Sequence, residues 1–212
     1  MPLLEINNLS YRYPGEHELH FPDFSVKSGQ NTLIFGQSGV GKTTLLHLIA
    51  GIRRIQQGKI KIEGRELSQM EGHRLDSFRA ENLSIIFQDA IFISGLNVID
   101  NIVLPSRFKK NNEAYKEKAY DLLKSLGLES KSDKGISTLS TGEKQRISII
   151  RAFITHPKLI IADEPSSALD DENCHEVMDL MFRLSDDYNT TFLVVSHDHR
   201  LQEKFKNRIQ LK

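Results

Sequence analysis

The sequence predicts an α/β fold with a mostly parallel sheet. Two short runs rich in Ile, Leu and Val, Leu159–Ala162 and Thr191–Val195, have the continuous apolar character of parallel strands that are covered on both faces. Predicted strands and helices alternate along much of the chain, as they do in folds built from βαβ units. Because 212 residues are enough to bury one substantial core, we expect residues 1–212 to form a single domain.

Hydrophobic periodicity and the positions of glycine and proline define the other elements. The further predicted strands are Leu3–Leu9, Phe21–Val26, Asn31–Phe35, Lys59–Ile62 and Leu83–Phe87. The predicted helices, each followed by glycine or by His-Pro, are Thr44–Ala50, Asn112–Leu126 and Gly142–Thr155. A polar stretch from about Gln69 to Ser137 interrupts the alternation of strands and helices, and it predicts an inserted helical lobe.

Composition argues against several classes of protein. Lys plus Arg and Asp plus Glu both total 28, so the net charge is zero, which disfavours a generally basic nucleic-acid-binding surface. The single cysteine, Cys174, excludes an intrachain disulfide and a cysteine metal cluster. The chain has no signal-peptide pattern at its start and no run near the ~20 apolar residues of a transmembrane helix. We therefore expect a soluble cytosolic protein that has no nucleic-acid partner and reaches a membrane only through another protein.

The clearest motif follows the predicted strand Asn31–Phe35. The segment Gly36-Gln37-Ser38-Gly39-Val40-Gly41-Lys42-Thr43 fits the pattern G-x-x-x-x-G-K-[S/T], in which backbone N–H groups cradle phosphates at the start of a helix. We expect Lys42 to reach the β- and γ-phosphates of ATP and the Thr43 hydroxyl to bind Mg²⁺. Thr44, the next residue, belongs with the ATP-binding residues. The alternative is a simple glycine turn, but the strand before the motif and the helix after it favour a P-loop NTPase core.

Two acidic residues, Asp163 and Glu164, end the apolar strand that begins at Leu159. The carboxyl end of a buried strand in an α/β sheet faces the ligand crevice. There Asp163 would hold Mg²⁺ through water, and Glu164 would polarise an attacking water. The alternative is a solvated acidic turn, which the upstream phosphate loop makes the weaker interpretation.

Other polar positions have two interpretations when local chemistry alone is considered. The segment Leu139-Ser140-Thr141-Gly142-Glu143 begins a helix whose free N–H groups would bind an anion, but it also has the spacing of a capping box, which local chemistry favours. Gln88 and His197 each follow a strand, where a polar residue is more often a surface or capping group. Tyr13 is more often a core residue than a base-stacking one.

The order of these features resembles the ATPase subunit of an ABC (ATP-binding cassette) transporter. Along the chain the features are Gly36–Thr43, Gln88, Leu139–Arg146, Asp163-Glu164, Ser167–Asp170 and His197. The resemblance covers essentially the whole chain, and six motifs in one order are highly specific. It implies a P-loop NTPase core with a mostly parallel sheet, an N-terminal antiparallel β subdomain and a helical lobe at about residues 89–155.

The resemblance also implies roles that local chemistry does not. Leu139–Glu143 resembles the LSGGQ signature, in which Ser140 and Gly142 would face the ATP held by a second copy. Gln88 resembles the Q-loop glutamine, which touches Mg²⁺ and the γ-phosphate and senses the membrane partner. His197 resembles the switch histidine, which contacts the γ-phosphate.

Two further residues match the family pattern, and two residues of the signature depart from it. Asp170 resembles the D-loop aspartate at the dimer seam. Tyr13 resembles the A-loop aromatic that stacks on adenine, although Tyr11 has the same strand parity. Thr141 and Glu143 stand where the signature has Gly and Gln. A carboxylate near a triphosphate is unfavourable unless it points away or sits against the helix dipole, so weaker or differently tuned hydrolysis is one expected consequence.

The stretch after Gln88 is similar to one subgroup, which contains lipoprotein-release, macrolide-export and cell-division ATPase subunits. Asp100-Asn101-Ile102 and Leu104-Pro105 fit the E-N-V-x-x-P-like ending of that subgroup, whereas Ser94 stands where it usually has proline. The resemblance implies an ATP-dependent homodimer at the inner face of the cell membrane. It would drive integral-membrane permease subunits that export or extract lipoprotein, peptide or drug-like cargo.

Two other functions share the same ATP-binding residues. A non-transport ATPase of the cell-division type would use ATP to regulate a membrane partner, and the sequence does not separate it from a transport motor. An ABC ATPase that acts on nucleic acid or ribosomes usually has two cassettes in one chain, or a long coiled-coil or zinc insertion. This chain has none of these features, so we disfavour that function.

Overall fold

The computed structural model describes residues 1–108 and 112–212. Within them, the strands are β1 (Leu4–Arg12), β2 (Glu18–His20), β3 (Phe24–Val26), β4 (Thr32–Phe35), β5 (Gln57–Ile62), β6 (Arg65–Glu66), β7 (Leu83–Ile86), β8 (Leu159–Asp163), β9 (Thr191–Ser196) and β10 (Asn207–Gln210). The α-helices are α1 (Lys42–Ile49), α2 (His73–Asn82), α3 (Val98–Val103), α4 (Asn112–Ser125), α5 (Thr141–Phe153) and α6 (Asp171–Tyr188). Among the described residues, no helix is both long enough and apolar enough to cross a membrane.

One five-stranded sheet has the order β10-β4-β9-β8-β7, and every neighbouring pair is parallel. β8 and β9 are buried along their whole length. Because all five strands run the same way, their carboxyl ends open on one edge of the sheet, where an α/β fold binds its ligand. The prediction of an α/β fold with a mostly parallel sheet is confirmed.

Alternate residues of β8 and β9 contribute to two separate hydrophobic cores. Ile160 and Phe192 pack with the core that includes α3, α4, α5 and α6, whereas Ile161 and Leu193 pack with α1 and the amino-terminal strands. Successive side chains of a strand point to opposite faces, so a strand buried on both faces needs an apolar residue at every position. This requirement explains the continuous apolar runs in the sequence.

The amino-terminal strands form a second, antiparallel sheet, in which β1 pairs with β2, β3 and β5, and β5 pairs with β6. The pairing of β1 with β5 changes register between Asn7 and Ser10. β1 runs beyond the predicted end at Leu9 and ends at Arg12. The predicted amino-terminal antiparallel subdomain is confirmed.

Two predicted elements need correction. Phe21–Val26 is not one strand, because β2 ends at His20 and β3 begins only at Phe24. The inserted helical lobe does not extend over the whole stretch from Gln69 to Ser137, because the strand predicted at Leu83 is β7, which pairs in parallel with β8 as part of the main sheet. The helices α3, α4 and α5 follow that strand.

The elements that were not predicted include α6 and β10. The buried residues of α6 recur at helical spacing and are Cys174, Val177, Met178, Leu180, Met181, Leu184 and Ser185, so a sequence signal for this helix existed. β10 reads Asn-Arg-Ile-Gln and has no apolar run of its own. It becomes a strand through parallel pairing with β4.

The start of β5 supplies a test of the packing between β1 and β5. Gly58 has a φ of +87°, and a Cβ there would lie 2.3 Å from the carbonyl oxygen of Asn8. Gly58→Ala should therefore lower the free energy of unfolding by about 2–4 kcal/mol, since backbone strain and a steric clash add. Gly15→Ala is the matched control, because Gly15 has a φ of +78° and no heavy atom within 4 Å of the added Cβ. That variant should lose only about 1 kcal/mol in urea unfolding, and equal losses would rule out the steric argument.

Candidate active site

The phosphate loop connects β4 to α1 at the carboxyl edge of the parallel sheet. Gly41 is the N-cap of α1 with a φ of 90°, and it makes no side-chain cap, so the first N–H groups of the helix are available to an anion. A Cβ on Gly36 would lie 2.6 Å from the carbonyl oxygen of Leu211, and one on Gly41 would lie 2.9 Å from the Leu19 side chain. Glycine at these two positions lets the loop pass between the carboxyl-terminal segment and the antiparallel sheet.

Lys42 lies inside this loop and is only 8% exposed. Its ammonium group donates hydrogen bonds to the carbonyl oxygens of Gly36 and Gln37, both at 2.9 Å. Ser38 and Gly39, at the tip of the loop, are exposed. The loop thus holds a positive charge on neutral carbonyl groups, which the oxygens of a triphosphate can replace as stronger partners.

Asp163, the last residue of β8, is also 8% exposed. Its Oδ1 atom has no hydrogen-bond partner among the described residues. Burial raises the pKa of the carboxyl group, and the neighbouring Glu164 adds to the rise, while a hydrogen bond from Thr43 opposes it. A buried carboxylate oxygen without a partner, next to a hydroxyl group, matches the oxygen ligands that Mg²⁺ prefers. Asp163 and Thr43 therefore fit a divalent cation.

A cation held there would take the rest of its ligands from outside the protein or from amide groups. No group of three or more His, Cys, Asp or Glu side chains that could hold a metal occurs among the described residues. Mg²⁺ commonly binds through one or two protein oxygens together with substrate phosphates and water. The small number of protein ligands therefore suits a cation that arrives with a nucleotide.

Glu164 adopts a left-handed backbone conformation with a φ of 47°, which redirects its side chain away from that of Asp163. Its carboxylate accepts hydrogen bonds from Ser196 Oγ at 2.6 Å and from the backbone N–H of His197 at 3.0 Å. His197 Nδ1 lies 2.6 Å from Glu164 Oε1. Strained backbone of this kind persists where the surroundings fix it, often at functional sites. The structure thus brings together Glu164 and His197, which are 33 residues apart in sequence.

Gln88 lies just after β7 and lines a cavity of about 210 Å³. Glu164 lines the same cavity, as do Thr141 and Gln145 from α5. Gln145 is 6% exposed, and its Nε2 atom has no partner among the described residues. The Q-loop candidate, the candidate general base and the signature helix therefore border one space.

The head of α5 is a capping box, as local chemistry favoured. Ser140 Oγ accepts a hydrogen bond from the Glu143 N–H at 3.2 Å, and Glu143 Oε2 accepts one from the Ser140 N–H at 2.8 Å. The Ser140 N–H is the main cause of the lowered pKa of Glu143, and Lys131 contributes from 3.5 Å. The carboxylate is thus turned back onto its own helix. A Cβ on Gly142 would lie 2.6 Å from Asn173 Oδ1, so glycine allows α5 to approach α6.

Asp170 is the N-cap of α6 and is exposed. Its carboxylate accepts hydrogen bonds from the backbone N–H of Asn173 at 2.8 Å and from the Asn173 side chain at 3.0 Å. Ser167 and Ala168, in the turn before it, are exposed as well. This turn between β8 and α6 faces outward, and Asp170 anchors its end to the first turn of α6.

Tyr13 directly follows β1 and reaches across to the helix of the phosphate loop. Its hydroxyl lies 3.0 Å from Thr44 Oγ1. Its ring makes an edge contact with Tyr11, with centroids 5.0 Å apart, and the Arg53 guanidinium lies 4.8 Å from its centroid. Tyr11 packs against the core and accepts a hydrogen bond from Arg53 at 3.2 Å. Of the two tyrosines, Tyr13 is therefore the one whose hydroxyl meets a polar side chain of α1.

The family model described as ABC transporter matches residues 19–167, which is more than half of the chain. The chain belongs to the ABC transporter family. It is an ATPase cassette, and the predictions of an ATP-binding domain of this family and of a P-loop NTPase fold are confirmed.

The ABC cassette is similar over most of its length to proteins named lipoprotein-releasing system ATP-binding protein LolD. It is 42% identical over 188 residues to the one from Buchnera aphidicola subsp. Schizaphis graminum, which covers 88% of this chain and 82% of the relative. It is 34% identical over 215 residues to the one from Hydrogenovibrio crunogenus, which covers 99% of this chain and 93% of the relative.

Solved structures give the same result for the fold of the cassette. The dimeric structure of MJ0796, described as a bacterial ABC transporter cassette, has a TM-score of 0.88 at 28% identity, with 99% of this chain and 94% of that chain covered. A dimeric post-hydrolysis state of the same cassette, bound to ADP and Pi, has a TM-score of 0.85 at 27% identity, with the same shares covered.

Three residues around the site were not singled out from the sequence. Ser196 holds Glu164 and directly precedes His197, so its position beside a candidate residue was a usable signal. Arg53 lies in a loop and Arg200 in a single 3-10 turn, His199–Leu201, and no spacing marks them as contacts of Tyr13 or of the segment after His197. The contacts of these two arginines form only when distant segments of the chain come together in the fold.

The two tyrosines make a testable pair. Tyr13→Ala should raise the KM for ATP at least about fivefold with a smaller effect on kcat, because stacking on a base contributes ~1–3 kcal/mol. Tyr13→Phe keeps the ring and should stay close to the wild type. Competition by inorganic tripolyphosphate, which has no base, should be unchanged in both variants. If Tyr11→Ala raises the KM while Tyr13→Ala does not, Tyr11 is the adenine platform.

Proposed function

We propose that this cassette is the ATP-hydrolysing subunit of a lipoprotein-releasing ABC transporter, and that it acts as an ATP-dependent homodimer on integral-membrane permease subunits. The observation that carries the proposal is the convergence of Lys42, Asp163 and Glu164, each 8% exposed, at one edge of the parallel sheet. The relatives named LolD support the lipoprotein cargo. The similar solved cassettes, which are described as dimeric, support the second copy.

Each residue near the triphosphate has a distinct task in this proposal. The N–H groups of Gly36–Thr43 and the ammonium of Lys42 bind and orient the phosphates. Thr43, Asp163 and Gln88 hold Mg²⁺, which when bound neutralises charge on the phosphate oxygens.

Glu164 orients and polarises the attacking water, since a carboxylate can accept a proton. His197, whose side chain is 60% exposed, holds Oε1 of Glu164 through Nδ1. That contact leaves the opposite edge of the imidazole ring for the γ-phosphate.

The second copy completes the site through the head of α5. Ser140 and Thr141 are exposed there, and the end of a helix offers positive potential to an anion. Glu143 fills part of that potential with its own carboxylate, so the γ-phosphate of the partner copy meets a partly neutralised helix end. We propose that ATP therefore closes this dimer less tightly than it would with an amide at position 143. Asp170, exposed at the start of α6, lies at the same seam.

The permease docks in an apolar groove beside the Q-loop. The groove has a volume of about 510 Å³, and Leu83, Phe87, Ile91 and Leu104 contribute apolar side chains to its lining. Ile91 is 60% exposed although it is apolar, which is typical of a residue that a partner covers. The groove wall is continuous with Gln88, so movement of the permease can reach the γ-phosphate. Docking there places the cassette on the cytoplasmic face of the membrane.

The first test concerns the ATP-bound dimer. Glu164→Gln should bind Mg-ATP and hydrolyse it at least about 10²-fold more slowly, because the amide cannot accept a proton. Loss of a negative charge beside the γ-phosphate should also let the ATP-bound dimer accumulate in sedimentation. A variant that binds ATP and stays monomeric would contradict the proposed dimer.

Cysteine crosslinking locates the interface in the same variant. Cys174, the single cysteine, is buried and is first replaced by serine. With Ser38→Cys and Ser140→Cys on separate chains, ATP should promote crosslinks between chains. Ser38→Cys paired with Tyr120→Cys, an exposed residue on α4, is the control and should not crosslink. Equal crosslinking with and without ATP would refute the composite site.

A separate test concerns the permease groove. Ile91→Asp should leave the ATPase rate of the isolated cassette within about twofold, because Ile91 is an exposed residue away from the phosphates. It should strongly reduce the fraction of cassette that sediments with membranes from the source cell. Ile52→Asp is the control, since Ile52 is an exposed isoleucine that does not line this groove. Undiminished membrane binding of Ile91→Asp would place the permease contact elsewhere.

A further inference from the structure

We propose that Arg200 is a positioning residue for ATP hydrolysis, and that it fixes the segment carrying His197 against the turn that leads into α6. This inference rests on the proposed function, since it assumes that His197 and Glu164 serve hydrolysis. Arg200 belongs to none of the sequence motifs and lies three residues after His197. Its side chain is 36% exposed, yet it makes the densest set of polar contacts around the site.

One side of the guanidinium group holds the histidine segment. Arg200 Nε donates to Asp198 Oδ1 at 2.9 Å, and Nη2 donates to Asp198 Oδ2 at 2.7 Å. Asp198 is largely buried and also accepts a hydrogen bond from Ser166 Oγ at 3.1 Å. The bond from Arg200 is the main cause of the lowered pKa of Asp198, so the carboxylate stays charged at neutral pH.

The other side of the guanidinium group holds the turn before α6. Arg200 Nη1 donates to Asp171 Oδ1 at 2.6 Å. The carbonyl oxygens of Leu169 and Ser166 accept longer hydrogen bonds at 3.4 and 3.5 Å. A planar guanidinium group can bind two carboxylates and two carbonyls in fixed directions, which the single ammonium of a lysine cannot reproduce. Arg200 therefore sets the spacing between the two segments.

The carboxylate that Arg200 holds is connected to the candidate general base. The Asp198 N–H donates to Ser196 Oγ at 3.0 Å, and Ser196 Oγ donates to Glu164 Oε2 at 2.6 Å. Between Asp198 and Ser196 stands His197, with Nδ1 on Glu164. A shift of Asp198 would therefore move His197 and loosen Glu164. Since small misplacements of a catalytic group lower the rate of the chemical step, the effect of losing Arg200 should fall on kcat.

Arg200 also joins a second path that reaches the signature helix. The turn that it holds ends at Asp170, whose carboxylate binds Asn173. Asn173 Oδ1 accepts a hydrogen bond from Arg146 of α5 at 3.2 Å. The histidine segment and the head of α5 are thus joined through Arg200 and the turn before α6. In the proposed dimer, the histidine segment contacts the ATP bound by its own chain, and the head of α5 contacts the ATP bound by the second copy.

The test compares Arg200→Ala with Lys204→Ala. Lys204 also ties the segment after His197 to α6, but through Asp179 at 2.8 Å, which lies in the middle of the helix and not at the turn before it. Arg200→Ala should lower kcat about tenfold or more and leave the KM for ATP within about twofold. Arg200→Lys should not restore kcat. Lys204→Ala should keep the wild-type kcat and KM, although it also loses an ion pair between this segment and α6.

Asp171→Asn is a second variant, and it should fold as the wild type does because the Asp171 side chain is 85% exposed. It removes the ion pair between Arg200 and Asp171, and it should lower kcat by a smaller factor than Arg200→Ala does. The assignment is overturned if Arg200→Ala keeps its kcat, if Lys204→Ala loses as much, or if the KM rises in step with the fall in kcat. Wild-type hydrolysis in His197→Ala and Glu164→Gln would instead overturn the proposed function itself.

Discussion

The register between three parallel strands brings the phosphate loop, the acidic pair and His197 to one edge of the sheet. Phe35, the last residue of β4, is paired with Ser196 at the end of β9, and Asp163 of β8 is paired with Val195. The phosphate loop, Asp163-Glu164 and Ser196-His197 therefore leave the sheet at the same level. A shift of one residue in any of these strands would exchange its two faces and move its final side chain out of the site. The two hydrophobic cores, one on each face, prevent such a shift.

Charge at this edge is arranged for a ligand rather than for stability. Asp163 and Glu164 are adjacent and both are buried, and burial together with the neighbouring Glu164 raises the pKa of Asp163. Asp163 Oδ1 lacks a partner, and Lys42 is held by neutral carbonyl groups instead of a carboxylate. In the proposed function, a triphosphate with a divalent cation would give Asp163 Oδ1 a partner and Lys42 stronger partners. The site thus keeps unsatisfied groups in the protein alone, which a bound nucleotide can pair.

The head of α5 shows how one helix end can serve two purposes. Ser140 and Glu143 form reciprocal hydrogen bonds that satisfy two N–H groups of the first turn. In the proposed dimer, the same helix end faces the ATP held by the second copy. A helix end can therefore form a capping box and still have the position of a signature. The departure at Glu143 is electrostatic, because a carboxylate stands where the family pattern has an amide. The approach of α5 to α6 at Gly142 then fixes this end relative to Asp170.

The sequence by itself determined the phosphate loop, the acidic pair and the strands β8 and β9, because each depends on neighbouring residues whose types and spacing are local. It also carried the family pattern, through six motifs in one order. Only the tertiary structure decided which tyrosine hydroxyl meets a polar side chain of α1, that Glu164 is held by Ser196 and His197, and that Arg200 joins the histidine segment to the turn before α6. These contacts join segments that are far apart in the chain. The formation of β10 also depends on a distant segment, because it becomes a strand by pairing with β4. Hydrogen bonds and ring contacts act over a few ångströms in space, so no spacing along the sequence encodes them.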